Sequence, residues 1–169
     1  GAVSNVAEIR VVVNARPVAN ADSETFLAGQ NSVTMTQAIS ANDTDSDGNV
    51  VASTIDLDPG TPGQQTSRVV QGVGTFAVSN TGIITFTPTS PSWTGNASIT
   101  YVINDNQGGL SNAATITVTL VQCFTVAQCN DNNSCTTDAC NAGTCSNTSV
   151  ARGTACGNGD VCDGASTNP

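Results

Sequence analysis

The chain has 169 residues, 13 acidic and 4 basic, for a net charge of -9, and it contains neither lysine nor histidine. That balance argues against nucleic acid and anionic membrane surfaces as partners. The missing side chains exclude a Ser-His-Asp or Cys-His centre, a Schiff base, histidine-ligated zinc, a CxxCH haem site and an intramolecular Lys-Asn crosslink.

The length holds one ordinary domain of about 100 residues plus something smaller. No apolar run approaches the roughly 18 residues needed to cross a bilayer, so membrane insertion is not expected. No signal-peptide pattern is present, and a start at Gly1 rather than Met reads as a processed protein or a fragment.

The first predicted element is Ala7 to Val11, where polar and apolar residues alternate. It lies in a segment that repeats. Gly1 to Val13 aligns without gaps on Gly108 to Leu120, with Gly, Ser, Asn, Ala, Ile and Val recurring in register. Residues 1–13 therefore read as a second copy of a domain's last strand, with Val3, Ile9, Val11 and Val13 as its core-facing residues. An isolated strand of this kind is ordered only when paired with a sheet, and its partner is expected to be another copy of the domain. That copy precedes it in a longer polypeptide, or belongs to a neighbouring subunit in a donor-strand polymer.

Residues 14–16 read as a linker and residues 17–121 as one domain. Alternation marks strands at Ser32–Thr36, Ile84–Thr87, Ser98–Ile103 and most plainly Thr115–Leu120. Turn clusters separate them at 42–49, 58–63, 79–82, 88–91 and 105–109. No helix of normal length is expected. Short strands with turns at this spacing predict an all-β, antiparallel Greek-key sandwich, without the inter-sheet disulfide of antibody domains.

Within the turn at 42–49, Asp43, Asp45 and Asp47 alternate before Gly48, a pattern whose carboxylates can converge on a hard cation such as calcium. It is half of an EF-hand, since the twelfth position is Thr54 rather than Glu. Further oxygens are expected from Asp22, Glu24 or Asp105. The alternative is a soluble Asp/Gly turn.

Arg16-Pro17-Val18-Ala19-Asn20-Ala21-Asp22, Ala41 to Gly48, Gly82 to Pro88, Ser92-Trp93-Thr94-Gly95 and Tyr101 to Gly109 follow one another in order. Together they resemble the bacterial cadherin-like repeat found in tandem in long surface adhesins. The resemblance covers essentially all of 17–121. It implies an extracellular Ig-like sandwich, often stiffened by calcium, that acts as a spacer or adhesive unit.

Residues 122–169 carry all seven cysteines: Cys123, Cys129, Cys135, Cys140, Cys145, Cys156 and Cys162. A stretch this polar cannot fold by burial alone, so at least two disulfides are expected; three would leave one cysteine as a thiol or paired outside the chain, and the pattern implies an oxidising compartment. The pairing stays open, because six cysteines can pair in 15 ways once the odd one is set aside. The spacing offers no CxxC zinc or redox motif. Cys129 to Cys140, continued by Arg152 to Asp160, resembles the CTDC-type repeats of extracellular matrix proteins, here truncated. Asp131, Asn133 and Asp138 are a second, weaker cation candidate, equally explained by turn chemistry.

Trp93, Tyr101, Phe76 and Phe86 read as core, with a sugar-stacking platform as the alternative. Sequons at Asn42, Asn96, Asn132 and Asn147 allow glycosylation. The expectation is a structural or adhesive module of an extracellular or cell-surface protein or filament, not an enzyme. Its partners are adjacent domains or copies of itself, and its alternative role is binding surface glycans.

Overall fold

A computed structural model describes residues 1, 5, 7–156, 161, 162 and 164. Val3 lies outside them. The strands are β1 (Asp22–Leu27), β2 (Val33–Thr34), β3 (Val50–Asp56), β4 (Ser67–Val70) and β5 (Gly74–Val78), then β6 (Ile84–Pro88), β7 (Gly95–Asp105) and β8 (Ala114–Val121). One sheet has the order β1-β8-β7-β3 and the other β2-β6-β5-β4. Every pairing is antiparallel except β1 on β8. The fold is the all-β sandwich that the alternation predicts.

Period-two sequences bury one face of each sheet. Strand β8 turns Ile116, Val118 and Leu120 inward, and β7 contributes Ala97, Ile99, Tyr101 and Ile103. The facing sheet supplies Val33, Phe76, Ile84 and Phe86. Each large side chain removed from water contributes about 1.5–3 kcal/mol. Strand β3 breaks register between Val51 and Asp56. There the Thr54 hydroxyl accepts from the Asn104 amide at 2.8 Å and donates to the Val51 carbonyl at 2.7 Å, filling the gap in the ladder.

Strands β7 and β8 fix the two poles. Asp105, the turn that follows it and the loop before β3 lie at one pole, while Leu27, Gly95 and Val121 meet at the other. The chain reaches the first pole through Asn14 and Ala15 and leaves the second through Gln122.

Beyond Gln122, β9 (Thr136–Asn141) and β10 (Thr144–Ser149) form a hairpin. Its two-residue turn has positive φ at both Ala142 (48°) and Gly143 (83°), the turn that matches strand twist. Gly143 is required twice over, because a Cβ there would also lie 2.6 Å from Cγ1 of Val121. The close approach lets Gln122 donate to the Gly143 carbonyl at 2.7 Å, docking the hairpin on the end of β8. Disulfides join Cys123 to Cys140, Cys129 to Cys145 and Cys135 to Cys162, and Cys156 is a free thiol.

None of the described residues before Asn14 lies in a strand. Ile9, Val11 and Val13 are 89, 79 and 82 % exposed.

Candidate metal centre at the acidic pole

The loop of 42–49 follows a single 3-10 turn (Ile39–Ala41) and splits its acidic residues between two environments. Asp43 turns inward. It is 9 % exposed, accepts from the Asn20 amide at 2.8 Å, and has its two oxygens 3.0 and 3.1 Å from the Tyr101 hydroxyl. That hydroxyl also lies 3.3 Å from Asp22 and 2.9 Å from the Asn20 carbonyl. A phenol has one proton to give, so the two carboxylates compete for it. Burial, then the charge of Asp43, pushes Asp22 up to about 6. Burial raises Asp43 as well, and burial plus the two carboxylates raises Tyr101. The cluster ties the incoming segment, the loop and β7 together.

This pair sets an inverted pH dependence. Asp22 releases its proton near 3.8 when unfolded and about 6 when folded, so the folded state holds more protons between those values. Its stabilisation is fully present below about 3.8 and is lost as pH rises through 6. Discounted for solvent screening, the effect is about 1 kcal/mol, or roughly 4–8 °C in melting temperature. Melts in chelator should therefore run higher at about pH 5 than at about pH 7.5, and Asp22→Asn should flatten the difference. Equal slopes in the two proteins would contradict the assignment.

Asp47 meets the incoming segment instead. The Ala15 amide donates to Asp47 at 3.0 Å, and the Asn14 carboxamide nitrogen donates to Asp105 at 2.7 Å. Asp105 is 3 % exposed. Desolvation pulls its carboxyl up, but hydrogen bonds from Asn14 and from the amides of Gly109, Gln107 and Gly108 outweigh that and hold it below the usual carboxylate range. Across from it, the Asn106 carboxamide oxygen accepts from the Asn49 amide at 2.9 Å.

In the middle of this arrangement three oxygens have no partner. Both carboxylate oxygens of Asp45 and the carboxamide oxygen of Asn14 are sealed from solvent without a hydrogen bond. Gly48 leaves a cradle beside Asp45, since a Cβ there would collide with the Asn106 oxygen and come within 2.6 Å of an Asp45 oxygen. A desolvated carboxylate without a donor costs several kcal/mol unless a cation offsets it. No basic side chain does so, because the one ion pair among the described residues is Arg68–Asp58. The donors are all oxygens, the set that suits a hard cation such as calcium.

The three aspartates of the motif do not share one point. Among the described residues no three acidic side chains bring an oxygen each within 4.8 Å of one another. The pole combines carboxylates with carboxamides instead. Of the oxygens expected from elsewhere, Asp105 is at the pole, Asp22 sits with Asp43, and Glu24 accepts from the Thr36 amide at 2.8 Å. Asn14 and Asn106 were invisible to motif spacing, because Asn14 meets Asp105 from 91 residues away.

Elsewhere, Asp131 accepts from the Asn133 amide at 2.9 Å and the Thr136 hydroxyl at 2.9 Å, and Asn133 accepts from the Cys135 amide. These are turn contacts. Tyr101, Phe76 and Phe86 are fully buried, and Trp93 packs on Phe86 with ring centroids 5.8 Å apart. The first three form core, and Trp93 packs half-buried against it.

A family model of the bacterial cadherin-like domain matches residues 14–122. The chain belongs to that family. The match spans every strand of the cadherin-like sandwich and begins at Asn14, which donates to Asp105 at the acidic pole. The disulfide hairpin of β9 and β10 follows the cadherin-like match. Comparison with curated proteins finds none whose sequence matches the chain.

Proposed function

We propose that the chain is a spacer or adhesive segment of an extracellular structural protein, with calcium clamping its incoming linker onto the sandwich. Asp45 and Asn14 supply the otherwise unpartnered oxygens; Asn106 lies with Asp45 at Gly48, Asp105 accepts from Asn14, and Asp47 accepts from the Ala15 amide. When bound, the cation neutralises the acidic pole and draws linker and loops together. The carrying observation is the orphaned Asp45 carboxylate.

On this reading residues 1–13 are the last strand of a preceding cadherin-like domain in the same polypeptide. Ile9, Val11 and Val13 align on Ile116, Val118 and Leu120, which β8 buries, and Asn5 aligns on Asn112. The Asn112 carboxamide clamps Ala19, accepting from its amide at 3.0 Å and donating to its carbonyl at 2.8 Å. Because the chain enters one pole and leaves the other, successive domains would stack end to end as a filament. The disulfides support an oxidising, extracellular setting.

Extracellular calcium modules bind at about 10⁻⁴–10⁻³ M, so about 10 mM calcium should stabilise the sandwich by roughly 1.4–2.7 kcal/mol. That is about 6–22 °C in melting temperature over chelator. Asp45→Asn should abolish the difference. Superimposed melts of the natural chain with calcium and with chelator would sink the calcium clamp. Fibres forming from this chain alone would favour the donor-strand arrangement over the tandem one.

A further inference from the structure

We infer that Cys135 has two alternative disulfide partners, and that the free thiol moves between Cys156 and Cys162 by exchange within the chain. In the structure Cys135 is bonded to Cys162, while the sulfur atoms of Cys135, Cys156 and Cys162 all lie within 4.8 Å of one another. Cys156 is therefore the third member of a sulfur cluster rather than an isolated thiol.

The backbone explains the convergence. Ala155 bridges Val161, Cys162 donates to the Thr154 carbonyl at 2.9 Å, and Gly153 donates to the Cys162 carbonyl at 2.8 Å. Cys156 and Cys162 thus follow the two facing positions of one bridge. On the other side, the Ser134 hydroxyl donates to the Cys156 carbonyl at 2.9 Å, holding Cys156 beside the residue that precedes Cys135. Either of the two cysteines can tie this segment to the start of β9.

The step balances without an outside oxidant. The Cys156 thiolate attacks Sγ of Cys135, a Cys135–Cys156 bond forms, the Cys135–Cys162 bond breaks, and the electron pair leaves with Cys162 as thiolate. One disulfide and one thiol are present before and after. The tether survives, and the position of the reactive thiol changes. Cys162 is 1 % exposed in the starting pairing and Cys156 is half-buried, so the two isomers present their thiols to solvent differently.

The test is thiol mapping of the native chain, purified without reductant, incubated for hours under argon in mildly alkaline buffer and quenched with acid. Uncatalysed rearrangement takes minutes to hours. After labelling with a maleimide and digestion, label should divide between Cys156 and Cys162 with one thiol per chain in total. Label confined to Cys156 would overturn the inference. Cys162→Ser provides an independent readout. With Cys123–Cys140 and Cys129–Cys145 formed as evidence of folding, it should contain a Cys135–Cys156 bond and no free thiol. Two free thiols at Cys135 and Cys156 in that folded variant would also overturn it.

Discussion

Reducing the three disulfides should unfold the chain beyond Gln122 while the sandwich keeps its own cooperative melt. The bonds span 17, 16 and 27 residues. Loops of this size stabilise by about 3 kcal/mol each through the unfolded state, so about 9 kcal/mol disappears together. Little else replaces it, since the buried apolar content of this part is largely cysteine itself: Cys123, Cys129, Cys135 and Cys162. The first 122 residues contain no cysteine, and the sandwich core therefore does not sense the reductant. Limited proteolysis with and without reductant distinguishes the parts. Cleavage confined to 123–169, with the sandwich transition unchanged, is the expected result. Continued protection of β9 and β10 after full reduction would contradict it.

Phe86→Ala should bring the sandwich close to unfolding. Phe86 is fully buried and packs in tilted contacts on Phe76 at 4.8 Å and on Trp93 at 5.8 Å. Its ring closes over Gly74, where a Cβ would lie 2.7 Å from the ring carbons, so the neighbouring strand cannot move in to fill the gap without strain. The loss is about 3–5 kcal/mol, against a total stability of about 5–15 kcal/mol for a domain. Trp93→Ala, at a half-buried position, should cost less. Denaturant unfolding measures both. Sugar binding that vanished in a fully folded Trp93→Ala protein would instead restore the glycan-binding alternative.

The sequence carried some elements clearly because one physical rule governed them. Strand β8 buries every second residue from Ile116 to Leu120, so its alternation was complete. Strand β3 was harder to see. Its break in register and the Thr54 side chain in its ladder spoil the period of two, although the segment is a full strand. Strand β1 reads Asp-Ser-Glu-Thr-Phe-Leu, a polar edge that pairs in parallel on β8 and gives no strong apolar signal.

The candidate site was legible only in part, for a related reason. The Asp-x-Asp-x-Asp-Gly loop announced oxygen ligands, but spacing says nothing about direction. Asp43 is drawn inward by Tyr101 and Asn20, and the place beside Asp45 is filled by Asn106 from the turn after β7. Those contacts, with that of Asn14 to Asp105, join residues 23 to 91 positions apart. No local pattern contains them.

Equilibrium dialysis of the chain against radioactive calcium, beside the Asp45→Asn variant, tests the calcium clamp most directly. The natural chain should bind about one calcium in the 10⁻⁴–10⁻³ M range, and the variant should lose that binding while its sandwich stays folded. No calcium retained by the natural chain, or equal retention by a folded Asp45→Asn protein, would contradict the account.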